Sequence, residues 1–221
     1  MIGRIFLLAM LLIGAAVEAE AQSSTSIGVR YGISSSNVSY RSIPATPNRR
    51  TGDVRGNTFG IVIEQFFAKN AGAQIEVQWV THGYAETDTL GNINESQLDY
   101  LKIPLLSNFY FGNKNRFHIK LGPHFGTLLG SRDISRTHEF NELGFAAMPT
   151  YGQEQDDPKR FMYGLTGGVG ISRLLGRNTI QAEVRFGYEF GRPERFERVY
   201  DMNFTNLEFT LSYLFAVLKK P

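Results

Sequence analysis

The chain has no cysteine, which excludes a disulfide framework, a thiolate metal site and a lipid-modified N-terminal cysteine, and with the last a mature lipoprotein. Neither sign of charge is in excess. Lys and Arg number 23 against 21 Asp and Glu, a net charge of +2 scattered along the chain, so no basic face argues for nucleic acid. Past the first residues no apolar run reaches the ~20 residues that a spanning helix needs. Phosphate-binding motifs are missing as well. Gly164-Leu-Thr-Gly-Gly-Val-Gly170 sits inside a strand pattern and opens no helix, so it is not a phosphate cradle.

What is abundant is glycine (23), phenylalanine (17) and tyrosine (10), and above all a two-residue alternation. Between Leu98 and Leu129 it is at its clearest. Leu101, Ile103, Leu105 and Phe109 fall on one face, opposite Tyr100, Lys102, Asn108 and Tyr110. After the Gly112–Asn115 turn, Phe117, Ile119, Leu121, Phe125 and Leu129 oppose His118, Lys120, Gly122, His124 and Gly126. Strand side chains alternate between faces, so this is a long hairpin with one apolar and one polar or small face. Its arms exceed the ~5–6 residues of a soluble strand and reach the ~9–11 residues of a tilted bilayer-crossing strand.

Residues 1–21 read as a cleaved export signal: Arg4, an apolar run from Ile5 to Val17, and the small-x-small site Ala19-Glu20-Ala21 before Gln22. Residues 22–221 then read as one domain of eight strands. These are Ser24–Ser34, Asn57–Phe67, Ala73–Tyr84, Leu98–Phe111, Arg116–Leu129, Arg160–Leu174, Thr179–Phe190 and Asn203–Phe215. Their connections alternate in length. Ala68–Gly72, Gly112–Asn115 and Leu175–Asn178 are short, whereas Ser35–Gly56, Ala85–Gln97, Gly130–Lys159 and Gly191–Met202 are longer and polar. A soluble sandwich has no reason to sort its loops in this way. The pattern predicts an all-β, eight-stranded antiparallel up-and-down transmembrane β-barrel in a bacterial outer membrane, surrounded by its lipid, with both termini periplasmic.

With the apolar faces turned to lipid, the inward faces collect Arg30, Lys102, Lys120 and Arg185 with Glu64, Glu76, Glu183, Glu189 and Glu208, and His118 and His124 nearby. An eight-stranded barrel has an interior just wide enough for side chains. Unpaired charge there is costly, so balanced signs predict a salt-bridge network and a closed polar core, with glycines making room for the long side chains. Trp79, Tyr84, Tyr110, Phe111, Tyr188, Tyr213 and Phe215 near strand ends are assigned to the membrane-interface girdles.

Catalytic groups are scarce. Of His82, His118, His124 and His138, none has a serine two residues away on its own strand, and His82 with Glu86 and Thr87 is the remaining candidate for a hydrolase site. Glu154, Asp156 and Asp157 on the third long loop read as a solvated loop more readily than as a cation site. No metal site, cofactor or catalytic residue is assigned.

Leu98-Asp-Tyr-Leu-Lys-Ile-Pro-Leu-Leu106, Leu121-Gly-Pro-His-Phe-Gly126, the Gly164–Gly170 stretch and His82-Gly83-Tyr84 resemble blocks of the PorT-like outer-membrane β-barrel proteins of Bacteroidota, from about Ser26 to Phe215. The resemblance implies barrel architecture and, through the founding member, a connection to protein secretion; it supplies no catalytic residues. The expected function is a non-enzymatic barrel acting through its external loops, with the region Asp133–Asp157 as contact surface, or as an accessory of the envelope secretion machinery. A small-solute channel and a lipid-modifying enzyme are the alternatives.

Overall fold

A computed structural model describes residues 24–42, 50–87, 93–136, 160–190 and 199–219. The export signal with Ala19, Ala21 and Gln22, together with His138, Glu154, Asp156 and Asp157, lies outside the described residues. The described chain is all strand: β1 (Ser24–Ser42), β2 (Arg50–Gly52), β3 (Val54–Phe66), β4 (Ala71–Thr87), β5 (Ile93–Gly112), β6 (Asn115–Arg136), β7 (Phe161–Leu175), β8 (Asn178–Glu189) and β9 (Val199–Lys219). Each long strand pairs antiparallel with its sequence neighbour, and β1 pairs with β9 from Ser24↔Lys219 to Ser42↔Val199. That last ladder closes a ring of eight, which leaves no free sheet edge in the membrane.

The ninth element, β2, is the outer end of β3. It pairs with β4 as Arg50↔Thr87, whereas β3 pairs as Thr58↔Val80, a one-residue register change across Asp53 that has the character of a bulge.

The strands run beyond the bounds that alternation predicts, most at the long-connection end, although β4 also starts at Ala71 rather than Ala73 and β9 runs on past Phe215 to Lys219. β1 continues past Ser34 to Ser42, β5 starts at Ile93 rather than Leu98, β6 continues past Leu129 to Arg136, and β9 starts at Val199 rather than Asn203. The connection expected over Ala85–Gln97 shrinks to 88–92. The cause is physical. Lipid demands apolar outward residues only within its own thickness, whereas ladder hydrogen bonds persist beyond it. On β1, the buried Ser36 and Val38 alternate with the more accessible Asn37 and Ser39, so the pleat continues after the apolar signal has ended.

The outer wall is apolar: Val29, Ile61, Leu121, Val169, Ile171 and Leu211, among others, are exposed there. Four of the aromatics assigned to the girdles, Trp79, Phe111, Tyr213 and Phe215, are exposed on this wall. Tyr84 and Tyr110 are not. Both are buried inside the ring, because they share the parity of His82 and Asn108 on their strands. Position along the strand suggested the interface, and position across the pleat overrules it.

Two prolines interrupt the ladders near the centre. β4 and β5 pair as Ile75↔Leu105 and again as Gln78↔Lys102, with no pairing between them, where Glu76 faces Pro104. The β5–β6 ladder skips from Pro104↔His124 to Ser107↔Leu121, the stretch that holds Pro123. Proline has no N–H to give, so the register resumes unshifted on either side of a gap. The Ile-Pro-Leu and Gly-Pro segments therefore leave a break in the hydrogen-bond ladder beside Glu76.

Candidate functional site: the barrel interior

Every second residue of each strand points inward, and the eight-stranded ring leaves no lumen wider than those side chains. Arg30, Glu64, Glu76, Lys102, Lys120, His124, Glu183, Arg185 and Glu208 are all 4% exposed or less. They meet both across the barrel and along single strands. Glu76 is the hub. Its Oε2 accepts from Arg30 Nη1 at 2.5 Å and its Oε1 from Arg185 Nη2 at 2.7 Å, while Gln74 and Gln78 donate amide hydrogens to the same carboxylate. Arg30 Nη2 reaches Glu208 Oε2 at 2.5 Å, and Arg185 also pairs with Glu183.

Lys120 extends this chain towards the short-turn end through Glu183, Glu64 (4.0 Å) and Gln74 Oε1 (2.6 Å). Lys102 extends it the other way, to Glu208 (3.5 Å) and Glu189 (3.7 Å). His82 Nδ1 lies 3.2 Å from Glu189 Oε1, and its Nε2 faces Asn206 Nδ2 at 3.0 Å. His124 Nδ1 meets Thr166 Oγ1 at 2.8 Å. His82 thus lies within the network rather than at an external site with Glu86 and Thr87.

The glycines of β7 accommodate this band. A Cβ on Gly168 would lie 2.7 Å from Arg185 Cγ, and one on Gly170 would lie 2.7 Å from Glu183 Cγ. The side chains on β8 occupy the volume that β7 leaves empty.

The closed polar core expected from the sequence is not polar throughout. Towards the long connections lies a buried apolar layer of Val38, Val80, Tyr84, Leu98, Tyr100, Leu128, Met162 and Phe204. At the short-turn end Phe66 and Tyr110 pack edge to face, centroids 4.9 Å apart, and the Arg116 guanidinium sits 4.1 Å above the Tyr110 ring. The ionic band lies between that apolar layer and this aromatic pair. Parity carries the signal for the apolar layer, since Leu98 and Tyr100 share the face of Lys102, and Val80 that of Glu76. Their apolar character conceals it, because it reads as part of the lipid face.

One further group comes together only in three dimensions. His118 Nε2 lies 2.7 Å from Ser172 Oγ on the next strand, its Nδ1 3.0 Å from Asn108 Oδ1, and Asn108 Nδ2 donates to Glu64 Oε2 at 2.7 Å. A Ser–His–Asn sequence of contacts is the arrangement that activates a nucleophile. Here Ser172 faces the filled interior and is 6% exposed. Among the described residues, no group of three or more His, Cys, Asp or Glu is arranged to hold a metal ion.

A closed ring of long antiparallel strands with a lipid-facing apolar wall and an ionic interior defines a transmembrane β-barrel of the bacterial outer membrane. Residues 20–218 match the outer membrane protein beta-barrel domain family, and the chain belongs to that family. Among solved structures it is similar to the outer membrane protein AlkL in DMPC bilayers, at 15% identity and a TM-score of 0.51, over 92% of this chain and 95% of that one. It also aligns with OprG from Pseudomonas aeruginosa at 12% identity, TM-score 0.48, over 89% and 95% of the two chains. With Ail from Yersinia pestis the values are 12%, 0.43, 86% and 99%. No curated protein matches the chain.

Proposed function

We propose that this outer-membrane barrel is a non-enzymatic component whose interior is a closed plug and whose external connections, or partners in the envelope, carry its activity. The observation behind this reading is the ionic band itself: nine charged or titratable side chains, each 4% exposed or less, cross-linked beneath a buried apolar layer. Such an interior holds the wall rigid and offers no ring of one sign to select ions. Function then falls to the connections, which vary freely on a fixed scaffold.

The finer assignment is to the PorT-like group and an accessory role in protein secretion, and it rests on the Leu98–Leu106 and Leu121–Gly126 segments. A deletion strain tests it: cargo held in the periplasm supports the secretion role, and an unchanged secretome removes it. Removing residues 137–157 is expected to abolish partner binding and leave the folded barrel's heat-modifiable mobility intact; binding that survives the deletion would refute the loop assignment. Refolded protein in planar bilayers should show no steady open events, and steady conductance would defeat the closed plug.

A small-solute path is the second reading. Gln181 Oε1 and Nε2, Thr210 Oγ1 and Arg185 Nη1 are buried without hydrogen-bond partners and lie on adjoining strands, a polar stretch that water could occupy. The same conductance measurement separates the two.

A further inference from the structure

The two ends of the barrel differ in charge. The three short turns and their flanks carry Lys69, Lys114, Arg116, Arg173 and Arg177, and residues 66–73, 111–118 and 172–180 contain no Asp or Glu. The opposite end mixes signs, with Asp53, Arg55, Glu95, Asp99, Arg132 and Asp133 among its described residues. By the layout of outer-membrane barrels the basic end faces the periplasm.

On the outer wall at that end, β5 to β8 form a groove of about 590 Å³. Phe111, Phe117, Ile171, Leu175 and Ile180 line it with apolar surface, and Arg173 stands at its periplasmic end. The ladders explain why: Asn115 pairs with Arg173 and Arg173 with Ile180, so one lipid-facing arginine is set among outward apolar residues. No carboxylate among the described residues pairs with Arg173. Two more cations flank the same rim. Lys114 is fixed against β7 by the Leu174 N–H donating to its carbonyl at 2.8 Å. Arg177 lies 5.0 Å from the Phe215 ring and donates to Ala216 O at 3.1 Å.

An apolar groove in the membrane-facing wall lined by Arg173, a cation with no carboxylate partner among the described residues, has the shape and charge of one ligand class. We infer that this groove binds an acidic glycerophospholipid of the periplasm-facing leaflet, with an acyl chain along Phe117, Ile171 and Ile180 and the phosphate at Arg173, supported by Lys114 and Arg177. The arginine stem can lie along the wall while its guanidinium stays at the interface. Anionic headgroups attract each nearby Lys or Arg with a strength that corresponds to about fivefold in affinity.

Native mass spectrometry of the refolded full chain, with phosphatidylglycerol and phosphatidylcholine offered at equal concentration, tests this. Phosphatidylglycerol adducts should predominate. Lys114→Gln with Arg173→Gln and Arg177→Gln should reduce that preference by at least about fivefold. Arg173→Gln alone, in a barrel that keeps its heat-modifiable mobility, should reduce it measurably, and Arg173→Lys should retain most of it. Arg55→Gln with Arg132→Gln, at the other rim, should leave it unchanged. Equal uptake of the two lipids by the wild type overturns the inference. A preference that survives the triple substitution, or is lost as fully in the external pair, also overturns it.

Discussion

Replacing Glu76 by glutamine is the sharpest probe of the interior. The side chain keeps its shape, but the one carboxylate shared by Arg30 and Arg185 becomes an amide. Each guanidinium retains a second partner, Glu208 or Glu183, so the band is weakened rather than emptied. Removing one partner of a buried ion pair costs about 3–5 kcal/mol where the other charge is left uncompensated. Here two cations lose their shared carboxylate but keep one partner each, so the loss should reach the lower end of that range. With a urea dependence of about 1–3 kcal/mol per M, the unfolding midpoint should fall by at least about 1 M. Trp79 is the only tryptophan in the chain, is exposed on the lipid-facing wall and stacks on Phe59, so its emission in phosphatidylcholine vesicles reports unfolding without a label. Arg185→Met combined with Glu76→Met removes both charges of one pair, so the double variant should lose less than the sum of the two single losses by more than about 0.5 kcal/mol. A Glu76→Gln midpoint equal to that of wild type, or strictly additive losses, would refute the view that Glu76 joins two buried cations.

Other sites give independent checks. Leu121→Arg puts a charge on the apolar outer wall, where it should destabilise the inserted barrel by about 2–4 kcal/mol, and vesicle-based unfolding that shows no loss would argue that Leu121 does not face lipid. Gly112 turns between β5 and β6 with φ 103°, and a Cβ there would lie 2.2 Å from Asn115 O. Gly112→Ala should therefore lower stability by more than about 1 kcal/mol, read from the same urea midpoint. Ser172 should resist a fluorophosphonate probe in the folded barrel despite its contact with His118; covalent labelling that disappears in Ser172→Ala would instead establish a nucleophile and defeat the non-enzymatic reading.

Alternation is a local property, and it places side chains on faces before any tertiary contact exists. Arg30, Glu64, Glu76, Lys102, Lys120, His124, Glu183, Arg185 and Glu208 are assigned to one face by their parity against apolar neighbours such as Val29, Ile63, Leu101 and Val184. The sorting of connections into short and long adds the up-and-down order. Pattern failed where the chemistry of the two faces converged. Leu98 and Met162 are apolar and inward, so hydropathy reads them as lipid-facing or neutral, and Tyr84 and Tyr110 carry a girdle residue's chemistry at an interior position. The external extensions of β1, β5, β6 and β9 escaped for a related reason: outside the bilayer both faces tolerate polar residues.

The sequence by itself determined the class of architecture, because a period of two, strand length and loop sorting are all read along the chain without any tertiary contact. Only the closed ring decided which inward residues meet. Arg30 and Glu76 are 46 positions apart, Arg30 and Glu208 are 178 apart, and each pair is joined at 2.5 Å. Those partners depend on the ladder registers, on the closure of β9 onto β1 and on the narrow lumen that eight strands enclose. The Ser172–His118–Asn108 contacts and the groove that ends at Arg173 depend on the ladder registers alone, since each is assembled from side chains on neighbouring paired strands.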